Sequence, residues 1–305
     1  MPEFRAFLIP ILLGLASVQS LALAERATAQ DSLGPRGAEG EPNRAQAWLV
    51  PSPDPAVASH AVLFRPPGDG PFRLAVIAHA STQNVLHRAL MPQPQYRALA
   101  SLLVARGFAV LVPERPGHGA TGGEYLEDQH GCDGADYAHA GRATAEEISA
   151  ALNYLRQQPF IRREAAVIVG HSAGGWGALA LANADPAEIA GIIVFAPGRG
   201  GQANGFPNQI CAPHTLTAAA EEFGHGARVP VVWLVAANDS YFSPDFSRKM
   251  ADAFRAGGGK ADFRVLPAYD GEGHWIAETD NGVKRAASEF NRVLRMQAIV
   301  RAKNR

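Results

Sequence analysis

The chain has 305 residues, 47% of them hydrophobic and 19% charged, and its 28 basic and 29 acidic side chains leave a net charge of −1. That composition excludes a disordered or low-complexity chain and supplies enough apolar material for a substantial core. With no long run of one sign and no basic excess, it carries none of the footprint of a nucleic-acid binder.

The first element in chain order lies outside the fold. Arg5 gives a positive start, Ala6 to Ala16 (AFLIPILLGLA) is an apolar run, and two small-x-small sites follow, Ala22-Leu23-Ala24 and Ala27-Thr28-Ala29. This is the layout of a secretory signal peptide over residues 1–24, with cleavage as late as 29. An uncleaved anchor over 6–24 is the alternative, and the early cleavage sites weigh against it. Residues 25–45, rich in Ala, Gly, Pro and charge, read as a disordered leader. Residues 46–305 read as one catalytic domain, secreted or periplasmic, with no later stretch apolar enough to span a membrane. The two cysteines, Cys132 and Cys211, then read as a disulfide, because an exported chain meets oxidising conditions. Two free buried thiols are the other possibility.

Short apolar runs follow, each read as a strand: His60 to Phe64, Leu74 to His79, Phe108 to Pro113, Ala165 to Gly170, Gly191 to Ala196, Val231 to Ala237 and Phe263 to Pro267. Most are apolar on consecutive positions, which suits strands covered on both faces. Helical patterns separate them: Tyr96 to Arg106, Thr144 to Gln157, Ala173 to Asn183, Pro244 to Ala256 and Asn281 to Ile299. The third is small and apolar, and the fourth begins after an N-cap, Ser243, with proline at its first position. Strand–helix alternation predicts an α/β fold with a mostly parallel central sheet and helices on both faces. Two glycine-rich segments, Gly117 to Gly141 and Gly198 to Gly226, break the alternation. They follow strands, so they are expected over the carboxyl ends of the sheet, where ligands bind in open α/β folds.

Gly170-His171-Ser172-Ala173-Gly174 matches G-x-S-x-G, between a buried strand and a helix of small residues. A serine on such a turn is strained, and its hydroxyl is pushed toward solvent beside a helix N-terminus. A plain Gly-Ser turn or a phosphate loop is the bland alternative; no G-x-G-x-x-G after a strand and no G-K-[ST] supports the latter. A neutral hydroxyl needs a base, and the base needs an acid to hold its tautomer. In this architecture the order is Ser, acid, His. Asp239 follows a late strand, although an Asx-turn explains an aspartate there too. Of ten histidines, His274 alone follows the last strand. Asp270 and Glu272 read as loop solvation, and His171 as a packing or hydrogen-bonding neighbour of the serine. His118, His130, His139, His214 and His225 read as polar loop residues. No metal-ligand spacing occurs. For an oxyanion, Ala173 offers one backbone N–H, and Ser81 (or Ala80) offers the second after the strand ending at His79. Trp176, Phe206, Trp233, Tyr241 and Trp275 suit a pocket or the core equally well.

The order Ser172, Asp239, His274, with His79-Ala80-Ser81 after an early strand, resembles the α/β-hydrolase superfamily over residues 60–300. Within it the chain is similar to secreted dienelactone hydrolase-like proteins, on Pro113 to Gly123 (PERPGHGATGG), the Cys132 loop, NDSYFSP and DGEGH. Dienelactone hydrolases proper carry cysteine in the elbow, where this chain has Ser172, so their lactone substrate does not transfer. The usual His-Gly is His79-Ala80 here. The resemblance implies hydrolysis of an ester, lactone or thioester through an acyl-serine, with no cofactor and no metal. The expected partner is a small-molecule ester, with a polymeric ester left open. A peptidase or amidase of the same fold, and a non-catalytic binding protein, are the rival readings.

Overall fold

The computed structural model describes residues 33–269 and 271–290. The expected signal peptide, and the part of the leader before residue 33, lie outside the described residues. Among the described residues nine strands form one sheet: β1 (Gly34–Gly40), β2 (Ala45–Pro51), β3 (Ala58–Phe64), β4 (Arg73–Ala78), β5 (Phe108–Pro113), β6 (Ala166–His171), β7 (Ile189–Phe195), β8 (Val231–Ala236) and β9 (Ala261–Leu266). Their spatial order is β1-β2-β3-β5-β4-β6-β7-β8-β9. Strands β1 to β3 run antiparallel to their neighbours, and β4 to β9 pair in parallel.

The consecutive apolar positions explain the parallel half. Strands β5, β6 and β8 are buried at every position, and each buried valine or isoleucine contributes roughly 1.5–3 kcal/mol. One core cluster, including Val76, Ile168 and Trp233, lies on one face of the sheet. The other, including Ile77, Val169 and Phe195, lies opposite.

Helices cover both faces: α1 (Val85–Ala89), α2 (Arg97–Val104), α3 (Tyr137–Arg156), α4 (Ala173–Ala180), α5 (Pro213–Gly224), α6 (Pro244–Ala256) and α7 over 280–290. Ser243 caps α6 as expected, its hydroxyl accepting the Phe246 N–H at 3.3 Å. Gly107, with φ of +83°, ends the turn after α2. The terminal helix expected to Ile299 is described only to 290. Among the described residues no helix is long and apolar enough to cross a membrane.

Three expectations need correction. The leader read as disordered over 25–45 is ordered from Gly34: β1 pairs with β2 along the sheet edge, and Glu39 pairs with Arg44 and Arg65. An edge strand needs only ladder hydrogen bonds, so GPRGAEG shows no apolar alternation. The segment Gly198 to Gly226, read as glycine-rich sequence that breaks the strand–helix alternation, contains α5, whose buried stripe is Leu216, Ala219, Ala220 and Phe223. Helix α3 starts at Tyr137, seven residues before Thr144, because Asp136 accepts the His139 N–H at 2.8 Å and caps it there.

Strand β4 lies between β5 and β6, so the connections leaving its carboxyl end and that of β6 diverge to opposite sides. That switch point opens a crevice above the sheet.

Candidate active site

Ser172 sits between β6 and α4 with φ of 53° and ψ of −118°, a region that side chains other than glycine rarely occupy. The turn can be this tight because of what adjoins it. A Cβ on Gly174 would lie 2.2 Å from the Ala78 carbonyl oxygen at the end of β4. Backbone thus packs on backbone, and the first turn of α4 rests on the neighbouring strand. The Ser172 side chain caps none of the helix N–H groups, so its hydroxyl remains available to other partners. Its main chain is fixed on both sides, the N–H to the Phe195 carbonyl at 2.9 Å and the carbonyl to the Trp176 N–H at 2.9 Å.

Asp239 follows β8 and His274 follows β9. His274 Nδ1 lies 3.1 Å from Asp239 Oδ2, with both side chains buried. The other carboxylate oxygen accepts the N–H groups of Tyr241 and Phe242 at 2.8 and 2.9 Å. The aspartate therefore serves as Asx-turn and imidazole partner at once, which merges two readings that the sequence kept apart. Aromatic rings hold the imidazole in place. Tyr241 stacks on it at 4.2 Å between centroids, and Trp275 packs edge-on at 5.2 Å. Burial pulls the His274 pKa below its ordinary value, and the Asp239 hydrogen bond and charge only partly offset that.

Ser172, Ala173, His274 and Ser81 all line one cleft of about 560 Å³. Ala173 opens α4, where the first N–H groups have no intrahelical partner. On the facing loop the Ala80 N–H is committed to the Tyr96 hydroxyl at 3.0 Å, which leaves Ser81 as the next donor. The Ser81 side chain is held by His118, with Oγ 2.7 Å from Nε2. His118 Nδ1 faces the Arg115 and Pro116 carbonyls at 3.1 and 3.0 Å, so the proton sits on Nδ1 and Nε2 accepts from Ser81. Burial lowers the His118 pKa to about 4, which keeps it neutral at ordinary pH.

Behind this loop lies a buried ion cluster. Arg115 Nη2 and Nε donate to the two Glu127 oxygens at 3.1 and 3.2 Å, and Arg115 Nη1 donates to the His79 carbonyl at 2.9 Å. Arg199 and Thr144 also donate to Glu127. Burial works to raise the Glu127 carboxyl, but Arg115 and Arg199 outweigh it and hold it well below the usual range. Glu147 lies 3.2 Å from Arg115 Nε, yet neither of its oxygens makes a hydrogen bond. Burial and the Glu127 charge push its carboxyl up, so we take it as the protonated member. The cluster clamps the end of β4 to the wall of the cleft.

The Cys132–Cys211 disulfide is present, with Cα atoms 5.1 Å apart, and it joins the two glycine-rich segments at the cleft. No group of side chains among the described residues could hold a metal ion.

The model of the alpha/beta hydrolase family matches residues 75–302. The chain belongs to the alpha/beta hydrolase family. Solved structures agree on the fold of this α/β hydrolase. A Klebsiella pneumoniae protein assigned to the dienelactone hydrolases is 16% identical with a TM-score of 0.54, covering 84% of this chain and 99% of its own. A Pyrococcus furiosus esterase is 13% identical with a TM-score of 0.57, covering 86% and 98%. Est1E from Butyrivibrio proteoclasticus, solved with ferulic acid bound, is 18% identical with a TM-score of 0.53, covering 79% and 96%. No curated protein sequence matches the chain.

Some residues around the hydrolase cleft were given a blander part by the sequence. Glu272, read as loop solvation, accepts the His274 and Ser240 N–H groups at 3.0 Å each, and so ties the histidine turn to the aspartate loop. Asp270 lies outside the described residues. His171 takes the hydrogen-bonding part expected of it, with its Nε2 2.8 Å from the His274 carbonyl. His118 belongs to the buried wall, while His130 and His139 stack on each other at an exposed corner. Of the aromatic residues, Trp176 and Trp233 are core, Tyr241 and Trp275 line the cleft, and Phe206 is 57% exposed.

Proposed function

We propose that this chain is an exported serine hydrolase of carboxylic esters. One observation carries the reading: His274, paired with the buried Asp239, lines the same cleft as a strained serine whose hydroxyl caps nothing. Asp239 keeps the proton on His274 Nδ1, which leaves Nε2 free to take the Ser172 proton. Ser172 Oγ then attacks the acyl carbon. The Ser81 and Ala173 N–H groups receive the oxyanion, each such donor lowering the barrier by roughly 3–4 kcal/mol. His274 returns its proton to the leaving alcohol. Water, activated by the same imidazole, releases the acid and restores the serine.

The shape of the cleft supports a two-part substrate. A second cavity of about 670 Å³ shares Ser81, Thr82, Tyr241 and Trp275 with the first. Its walls are largely apolar, with Leu90, Met91, Pro92 and Pro94. The first cavity is more polar, with Arg88 and Gln129. An ester with one apolar and one polar side fits across the junction. The fold shared with esterases supports the reaction class. The disulfide and the apolar N-terminal run support export.

The test is turnover of p-nitrophenyl esters of graded chain length. Ser172→Ala is expected to lower kcat by ~10⁴-fold or more, and a fluorophosphonate probe is expected to label the unaltered chain only. Retention of most activity by Ser172→Ala overturns the assignment.

A further inference from the structure

Tyr96 lies outside the reaction just described, yet its hydroxyl meets a residue on each of three segments that carry the proposed site. The residue precedes α2 with φ of 47° and ψ of 44°, a left-handed conformation that is unfavourable for a bulky side chain and marks a constrained site. The side chain gives α2 no cap in return. It points inward instead and is 7% exposed.

The phenol oxygen accepts the Ala80 N–H at 3.0 Å, lies 2.9 Å from His171 Nδ1, and donates to Glu278 Oε1 at 3.1 Å. His171 adjoins Ser172 in sequence. Its other nitrogen, Nε2, is 2.8 Å from the His274 carbonyl and therefore carries a proton, since a carbonyl only accepts. Glu278 follows the short turn Gly273–Ala277 that contains His274. One hydroxyl thus joins the loop after β4, the strand–helix turn and the histidine turn, three segments that are remote in the chain.

We propose that Tyr96 is a positioning residue, which holds the loop after β4 so that Ser81 rather than Ala80 presents its N–H to the oxyanion, and which fixes that loop relative to His274. The proposal rests on the ester-hydrolase reading. Its logic is one of occupancy. The N–H of Ala80 is engaged by the phenol, so it does not compete for substrate oxygen, and the adjoining peptide is pinned. Burial and the nearby Glu278 charge keep the phenol protonated well above ordinary pH, so the tie persists across the working range.

Tyr96→Phe keeps the ring and removes only the hydroxyl. Turnover is measured per serine titrated by a stoichiometric phosphonate, so a partly unfolded sample does not mimic a slower site. Tyr96→Phe is expected to lower kcat by ~10–100-fold, less than outright loss of an oxyanion donor costs because the Ser81 N–H is displaced and not removed, with KM within about threefold of the parent because the ring that Tyr96 presents to the second cavity is kept. Glu278→Ala, at a side chain 39% exposed, is expected to lower kcat several-fold by freeing the phenol. In the Tyr96→Phe background it is expected to cost less than it does alone, since the Tyr96–Glu278 bond is already gone and only the Glu278 contact to His171 Nδ1 at 3.3 Å is left to lose. Unchanged kcat per titrated serine in Tyr96→Phe overturns the proposal, as does strict additivity of the two variants. Should Tyr96→Phe fail to fold, Glu278→Ala alone decides, with an unchanged kcat counting against the proposal. Failure of the parent chain to react with the phosphonate would instead sink the ester-hydrolase reading.

Discussion

The proposed catalytic residues Ser172, Asp239 and His274 could be picked out in the sequence because each carries a local signature as well as a place in the chain order. Glycines flank the serine, a buried strand precedes the aspartate, and the last strand precedes the histidine. Tyr96 and Glu272 carried no such mark. Their tasks depend on partners far away in sequence, with Tyr96 standing 75 and 182 positions from His171 and Glu278. Gly273 shows how closely these loops meet: a Cβ there would fall 2.7 Å from the Asp239 nitrogen. Under the proposed reaction, His274 also sets a pH dependence. A general base works only when neutral, and burial moves the His274 pKa down from 6.5. Lowering the pH should therefore reduce kcat/KM along a limb whose midpoint lies below pH 6.5. Asp239→Asn removes the two largest influences that oppose the downward shift and leaves only the Glu272 charge. It is expected to move that midpoint lower still and to cut kcat by ~10³–10⁴-fold. A midpoint at or above pH 6.5 in the parent chain would show that a different group controls the limb.

At the level of elements, the parallel strands were readable because two-sided burial writes itself as unbroken apolar runs. Strand β1 and helix α5 were not read for opposite reasons. The first has almost no buried side chain, with only Gly34 covered. The second writes its stripe largely in alanine, and the neighbouring cysteine, histidines and glycines masked it. The disulfide joins the loop before α3 to the loop before α5 across 79 positions. Closing a loop of that length removes unfolded-state entropy equivalent to about 4.5 kcal/mol. The paired variant Cys132→Ser with Cys211→Ser should lose stability of that order in urea titrations. It should also show a raised KM with little change in kcat, because both cysteines line the cleft while Ser172 and His274 stand on other elements. A KM equal to that of the parent would separate the disulfide from substrate binding.

Across the whole molecule, three histidines are buried with depressed pKa values: His79 by burial and Arg115, His118 to about 4 by burial, and His274 by burial. In the unfolded chain each takes up a proton near pH 6.5, while in the fold each does so only at lower pH. The unfolded state therefore binds more protons in between, and stability should rise with pH from about 4 to 6.5. His118 alone contributes ~3 kcal/mol over that range. Glu147 works the other way above pH 4.5, since its carboxyl is raised, but one group opposes three. The urea midpoint should accordingly be lower at pH 5 than at pH 7, and a higher one would show that these imidazoles accept protons within the fold. Distance across the sheet has a practical consequence of its own. Strand β1 occupies the outermost position, four strands from β4, or about 19 Å at ordinary strand spacing. A support, tag or surface coupled ahead of Gly34 would grip the molecule by its far flank and leave the mouth of the cleft unobstructed, so immobilised protein should turn over as fast as free protein.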